Sequence, residues 1–166
     1  DVGATATQVV TITITGTNDA PVITSSAEDA AGSVTEDGLA ADDDTAVTGL
    51  GTATGTLTSE DVDADATAEW SITPLVTSAL GAMEIDAATG DWTYTLDQSA
   101  ADALDEGDVV SETFTATVTD DVGATATQVV TITITGTNDA PVITSSAEDA
   151  AGSVTEDGLA ADDDTA

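Results

Sequence analysis

Residues 1–46 and 121–166 are identical at all 46 positions, an offset of 120. No other feature limits the fold of the chain so strongly. The identity includes polar positions that a single folded domain leaves free to drift. The sequence therefore reads as slightly more than one period of a tandem array. One period of 120 residues suits one domain of ordinary size. The run Gly16-Thr17-Asn18-Asp19-Ala20-Pro21 returns as Gly136-Thr137-Asn138-Asp139-Ala140-Pro141. A proline after a polar run that follows a long strand is a natural boundary. This punctuation predicts one complete domain at 18–137. Residues 1–17 would be the last strand of a preceding copy, and 138–166 would open the next. The first residues, Asp1-Val2-Gly3-Ala4-Thr5, lack the character of a secretion leader and read as the middle of something longer.

Within a period the side chains alternate with period 2, the signature of strands. Ala124, Ala126, Val130, Ile132 and Ile134 fall on one face, with Thr125, Thr127, Thr131, Thr133 and Thr135 on the other. Phe114, Ala116 and Val118 alternate with threonines, as do Trp92, Tyr94 and Leu96. Trp70 and Ile72 alternate with Ser71 and Thr73. Threonine forms strands and tolerates solvent, so it suits the wet face of an antiparallel sheet. Turn residues separate these runs at Thr89-Gly90-Asp91 and Asp120-Asp121-Val122-Gly123. Only Ser99 to Leu104 has helical character, with Ser99 as its expected cap. Seven or so short strands in about 120 residues predict an all-β, two-sheet Greek-key sandwich. Trp70, Trp92, Tyr94 and Phe114 lie on apolar faces, which favours core packing over a sugar-stacking platform.

The 33 acidic residues face no Lys, Arg or His, and the formal net charge is -33. Cysteine is absent too. These absences exclude a Ser-His-Asp triad, a thiol nucleophile, a Schiff base and a His/Cys zinc site. They leave no phosphate clamp and no footprint for nucleic acid, which requires cationic side chains. Attraction to an anionic leaflet is likewise missing, and no apolar run approaches the ~18 residues of a membrane span. Carboxylate-only chemistry and binding of hard cations by oxygen ligands remain open. Hydrophobic residues make up 40% of the chain, far more than an acidic disordered tail carries.

The acids gather at Asn18-Asp19, Glu36-Asp37, Asp42-Asp43-Asp44, Glu60 to Asp65, Asp105 to Asp108 and Asp120-Asp121. Each group is expected in a turn or at a strand end, and the turns of a sandwich collect at its two poles. Like charges held together repel until divalent cations, salt or protons relieve them. Calcium takes ~6–8 oxygens from carboxylates, amides and carbonyls. The alternating acids Asp61, Asp63 and Asp65 can aim several oxygens into one loop. They do not match an EF-hand, whose Gly and closing Glu are missing. A solvated acidic surface, as in a salt-adapted protein, is the other reading of these acids. The groups flanking the linkers are read as cation sites and Asp42–Asp44 as a solvated loop.

Several stretches resemble the VCBS-type repeat of very large bacterial surface proteins, including RTX adhesins. They are Ser33-Val34-Thr35-Glu36-Asp37-Gly38, Gly55-Thr56-Leu57-Thr58, Asp61 to Asp65, Gly90 to Asp97, and Ile134 to Val142. More distantly the chain resembles cadherin domains. Asp61 to Ile72 is similar to the Asp-x-Asp loop leading into a Tyr-Ser-Ile strand, with Trp70 in the tyrosine place. Ile85-Asp86-Ala87-Ala88-Thr89-Gly90 is similar to the Ile-Asp-x-x-Thr-Gly turn, and Asn18-Asp19-Ala20-Pro21 to a shortened linker. Gly16 replaces the linker's leading Asp. The resemblance implies an immunoglobulin-like, cadherin-like sandwich with Ca2+ at its junctions, secreted and displayed on the cell surface. Carried over by motif, one junction would use Asn18, Asp19, Asp61, Asp63 and an Asp of the Asp120-Asp121 pair. The other would use Glu36, Asn138, Asp139 and Asp97, with Asp37 and Asp65 in the same acidic groups.

Three functions fit these features. A calcium-stiffened extender of a long adhesin explains identical copies in series with acidic junctions. Its partners would be neighbouring identical repeats and calcium ions, and it would not be an enzyme. A self-assembling filament or sheath would arise if residues 1–17, which fray unless paired, added as a strand to another copy. A carbohydrate-binding or carbohydrate-cleaving module is the third, since abundant acids will place some pair at a glycosidase spacing by chance.

Overall fold

The computed structural model describes residues 2–39, 46–74, 80–139, 141 and 143–155. The strands in order are β1 (Val22–Ile23), β2 (Ala31–Thr35), β3 (Gly38–Leu39), β4 (Ala46–Val47), β5 (Thr52–Thr56) and β6 (Ser59–Glu60). They continue with β7 (Ala68–Pro74), β8 (Gly81–Ile85), β9 (Asp91–Leu96), β10 (Val109–Asp120) and β11 (Thr125–Thr135). One helical turn, α1 (Gln98–Ala101), follows β9. The Asp42–Asp44 group lies outside the described residues.

Two sheets form the sandwich. One has the order β2-β11-β10-β7 and the other β5-β9-β8, with the short pairs β1-β6 and β3-β4 beside them. The seams between the sheets are crossed by backbone bonds from Thr35 N to Leu50 O, 2.9 Å, and from Trp70 N to Ala87 O, 2.8 Å. The alternation read in the sequence orders the layers. Val130, Ile132 and Ile134 of β11 are fully buried beside Phe114, Ala116 and Val118 of β10. Trp92, Tyr94 and Leu96 of β9 meet them from the facing sheet. The four aromatics are therefore core. Tyr94 and Phe114 pack edge to face at 5.9 Å. The Trp92 indole donates to the Asp29 carbonyl at 3.0 Å. Gly55 is required beneath that indole, where a Cβ would stand 2.5 Å from Trp92.

The helical turn differs from expectation in its cap. Asp97, not Ser99, is the N-cap, and its carboxylate accepts from the Ser99 and Ala100 amides. A carboxylate two residues earlier outcompetes the Ser99 hydroxyl, which itself donates to Asp97 at 2.8 Å.

Strand β11 runs antiparallel to β10 but parallel to β2. A parallel first-to-last pairing sends the chain into the sandwich at one pole and out at the other. The 11 residues of β11 at ~3.3 Å each separate the poles by about 36 Å.

The repeated sequence appears in two states. Thr5–Thr15 has the sequence of β11, yet it forms no strand, and Val10, Ile12 and Ile14 are 77%, 79% and 89% exposed. Residues 151–155 have the sequence of β2 and also form no strand. A local turn, by contrast, forms in both copies. Ser26 N donates to Asp29 at 2.8 Å, and Ser146 N donates to Asp149 at 3.0 Å. Strand pairing is non-local and needs its neighbours, whereas the turn closes within four residues.

Two substitutions in one sequence context test this reading. Ile132→Ala is expected to lower the unfolding free energy by about 2–5 kcal/mol. Ile12→Ala is expected to change it by less than about 0.5 kcal/mol. Urea titration followed by tryptophan fluorescence measures both, and equal effects would place Ile12 in a packed core.

Candidate cation-binding poles

With no cationic side chain in the chain, each carboxylate must be satisfied by N–H, O–H or something external. The entry pole shows the first arrangement. Asp120 ends β10 and is 7% exposed. Its Oδ1 accepts from the amides of Val122, Gly123 and Ala124 at 3.0, 2.6 and 2.8 Å, closing the turn into β11. Gly123 supplies the positive φ of 102° that this turn needs. The other oxygen, Oδ2, accepts from Asn18 Nδ2 at 2.9 Å. The Asp19 amide donates to Asp63 Oδ2 at 2.7 Å, and the Asp63 amide to Asp61 Oδ1 at 2.9 Å. Asp61 Oδ2 is buried with no partner. Asp65 follows at a φ of 63°, a left-handed conformation that Asp tolerates better than most residues. Asp121, Asp63 and Asn18 line a shallow cavity of about 350 Å³. The structure thus brings Asn18, Asp19, Asp61, Asp63, Asp120 and Asp121 to one pole.

The exit pole is built around Glu36. It directly follows β2 and is completely buried. Its Oε2 accepts the Thr137 amide at 3.0 Å, while its Oε1 and the Thr137 hydroxyl are buried without a partner. Gly38 permits this closeness, because a Cβ there would overlap Thr137 Oγ1. Leu39 N binds the Asn138 carbonyl at 2.6 Å. Asp37 is exposed and fixes the loop, its Oδ1 accepting from Gly49 N and its amide donating to Gln98 Oε1. Asp102 and Asp139 share two cavities here, of about 200 and 500 Å³. Asp97 sits nearby in the chain, with its Oδ1 engaged in capping α1.

Two acids at this end were not singled out from the sequence. Asp102 closes α1 and acts on Glu36 through its charge. Glu112 is buried within β10, accepting from Tyr94 OH at 2.7 Å and Leu80 N at 2.9 Å. The signal for Glu112 was available: it occupies an inward position of the alternating strand, where a carboxylate must find donors. Asp102 has no comparable sequence signal, because its place depends on how α1 packs at the pole. Among the described residues, no three acids converge into a ready-made cation cage.

The poles shift their acids in opposite directions. Asp120 is held below the usual carboxylate range, first by the Asn18 amide and then by the turn amides, which together outweigh burial. Glu36 is pushed up by burial first. The Thr137 amide opposes that shift, and the charges of Asp139, Asp102 and Asp37 add to it. The signs for stability follow from proton linkage. Asp120 binds fewer protons when folded, so its contribution is present above the ordinary range near ~3.9 and fades as pH falls through its lowered folded pKa. Glu36 binds more protons when folded, so its ionisation weakens the fold as pH rises through the raised folded pKa.

Two measurements follow. Asp120→Asn is expected to flatten the loss of stability below about pH 4, read as urea midpoints across an acid series. Glu36→Gln is expected to melt higher than the parent in chelator at neutral pH, with a gain of roughly 1 kcal/mol from removing a half-satisfied buried charge. A lower melting temperature for Glu36→Gln would mean that its carboxylate is already compensated.

Comparison with curated proteins gave no match. Among the described residues, no helix is long and apolar enough to cross a membrane. Residues 18–136 match the family model of the bacterial cadherin-like domain. The two-sheet sandwich agrees with that match, and such domains are typically extracellular, non-enzymatic structural domains that generally bind calcium. The chain belongs to the bacterial cadherin-like domain family.

Proposed function

We propose that the chain is a calcium-stabilised structural extender repeat of a long secreted bacterial cell-surface adhesin. It acts as a stiff spacer in cell adhesion or biofilm formation, in the manner of the VCBS-type repeats of RTX adhesins. One observation carries this reading. The same Gly-Thr-Asn-Asp linker is seen twice, at opposite poles, in two different acidic surroundings. As Asn18-Asp19 it bonds to Asp120 and Asp63. As Asn138-Asp139 it lies beside Asp102 and follows Thr137, which bonds Glu36. In a tandem array each linker would have both surroundings at once. Each pole alone supplies half of a shell, in keeping with the lack of a ready-made cage.

Superposing the two views assembles a composite set. Glu36, Asp102 and Asp139 would come from one domain, and Asp61, Asp63 and Asp120 from the next. Three of the buried oxygens without partners, Glu36 Oε1, Asp61 Oδ2 and the Thr137 hydroxyl, lie at the poles and are of the hard type that Ca2+ prefers. Asp37, Asp65, Asp97 and Asp121 stand around these sets. Asp37 and Asp97 carry loop and cap hydrogen bonds that a ligand role would have to share.

The mechanism is linkage. An ion that binds the ordered junction alone stabilises it by RT ln(1 + [Ca]/Kd), about 1.4 kcal/mol at ten times Kd. Extracellular modules bind at ~10⁻⁴–10⁻³ M. Without the ion the acids of adjoining poles repel and the junction flexes. Small-angle scattering of a chain of several 120-residue repeats, with millimolar calcium and then with chelator, is the test. Calcium is expected to lengthen and stiffen the particle and to raise the melting temperature by roughly 5 °C per site. Dimensions and melting indifferent to chelation would refute the proposal.

A further inference from the structure

We propose that successive copies of the repeat touch directly. The entry pole of one copy packs its exposed Val62 and Val122 on the exit pole of the copy before it, beside Leu39 and Leu104. Such a contact presupposes the tandem extender proposed above and gives it the surface by which its copies meet.

The linker sets the distance. At the exit pole two of its backbone groups are held. The Thr137 amide donates to Glu36 at 3.0 Å, and the Asn138 carbonyl accepts from Leu39 N at 2.6 Å. At the entry pole two other groups of the same sequence are held. The Asn18 side-chain amide donates to Asp120 at 2.9 Å, and the Asp19 amide donates to Asp63 at 2.7 Å. No atom is used twice, so one linker can serve both poles at once. Asp139 takes the place of Asp19 in the next copy and lies two residues after Thr137, at most ~7 Å along the chain. A gap so short leaves no room for a flexible spacer. Poles gripped at that separation bring the side chains around the linker together.

Those side chains include apolar ones on both sides. Val62 and Val122 are 81% and 68% exposed at a pole otherwise rich in acids. Val122 borders the entry cavity with Asn18, Ala64 and Ala66. At the exit pole Leu104 borders one cavity with Thr137 and Asn138, and Leu39 borders the other with Asp139. Both leucines are half-buried. Closing the poles removes this apolar surface from water. The area is small, but tethered neighbours meet at millimolar effective concentration, where a small contact suffices.

Charge makes the contact conditional. Asp102, Asp105 and Asp139 border the exit cavity, and Asp63 and Asp121 the entry cavity, so closure brings like charges together. At ~0.1 M salt their repulsion reaches ~10 Å, beyond the linker's span, and at ~1 M only ~3 Å. Concentrated monovalent salt therefore closes the contact without a divalent ion.

The chain lacks cysteine, so Thr54→Cys, exposed on β5, takes one spin label per repeat in a chain of two complete repeats. Dipolar spectroscopy in chelator is expected to show the distribution of label distances narrowing about twofold as sodium chloride rises from ~0.1 to ~1 M. Val62→Ser with Val122→Ser in the second repeat is expected to leave the distribution broad at both concentrations. In the 166-residue chain the same pair is expected to keep the melting temperature within about 2 °C of the parent, since neither valine belongs to the core. A larger drop would place the valines in their own domain's packing and overturn the proposal. So would a parent that stays broad in salt, or a valine variant that narrows as the parent does. Calcium added to the same samples tests the cation reading separately: stiffening by calcium with no dependence on the valines keeps that reading and sinks this one.

Discussion

Everything polar in this fold answers to one constraint: the carboxylates have no cationic side chain to meet. The structure uses backbone amides and hydroxyls in their place. Asp120 gathers three turn amides, Asp86 takes those of Ala88 and Thr89, and Asp97 caps α1. Buried Glu112 holds a tyrosine hydroxyl and an amide. Carboxylates used in this way become structural parts of turns and caps, and several are held below their ordinary pKa as a result. The supply of donors falls short at Glu36, where one oxygen is buried alone. Among the described residues, buried oxygens without a partner occur at both poles, on Asp61 at one and on Glu36 and Thr137 at the other, and on Ser25.

That distribution fits an array. A sandwich in which β2 and β11 run parallel presents its two linkers at opposite ends, so in the proposed array copies would add lengthwise. In that proposed array any charge left over at a pole would be shared with the next domain rather than with bulk water. Under the proposed function stiffness and composition would be linked: an acidic chain that draws its counter-ions from the medium would become rigid where the medium supplies divalent ions.

The two copies of the 46-residue segment separate local from non-local control within one molecule. The Ser-x-x-Asp turn forms in both, because its donors and acceptor lie within four residues. The β11 sequence becomes a strand only where β10 and β2 flank it. An alternating Thr/Ile pattern specifies which face would be buried, and a partner must exist before there is anything to bury it against.

Much was therefore legible in the sequence. The alternation marked the core faces of β9, β10 and β11, and the aromatics Trp92, Tyr94 and Phe114 are where it put them. The linker motif located the acids that gather at the poles, because turn chemistry and strand ends are local features. The cap of α1 falls on Asp97 rather than Ser99, since two capping residues two positions apart compete and the stronger acceptor prevails. Glu112 could have been noticed as a charge on an inward face. Asp102 could not, because its approach to Glu36 depends on packing of α1. The sequence by itself determined the strand pattern, the repeat and the demand for external positive charge, all consequences of residue type and period. Only the tertiary structure decided that β2 and β11 run parallel, which puts identical linkers at opposite poles and leaves Glu36 buried at one of them. Those relations join residues about 100 apart, and no local preference encodes them.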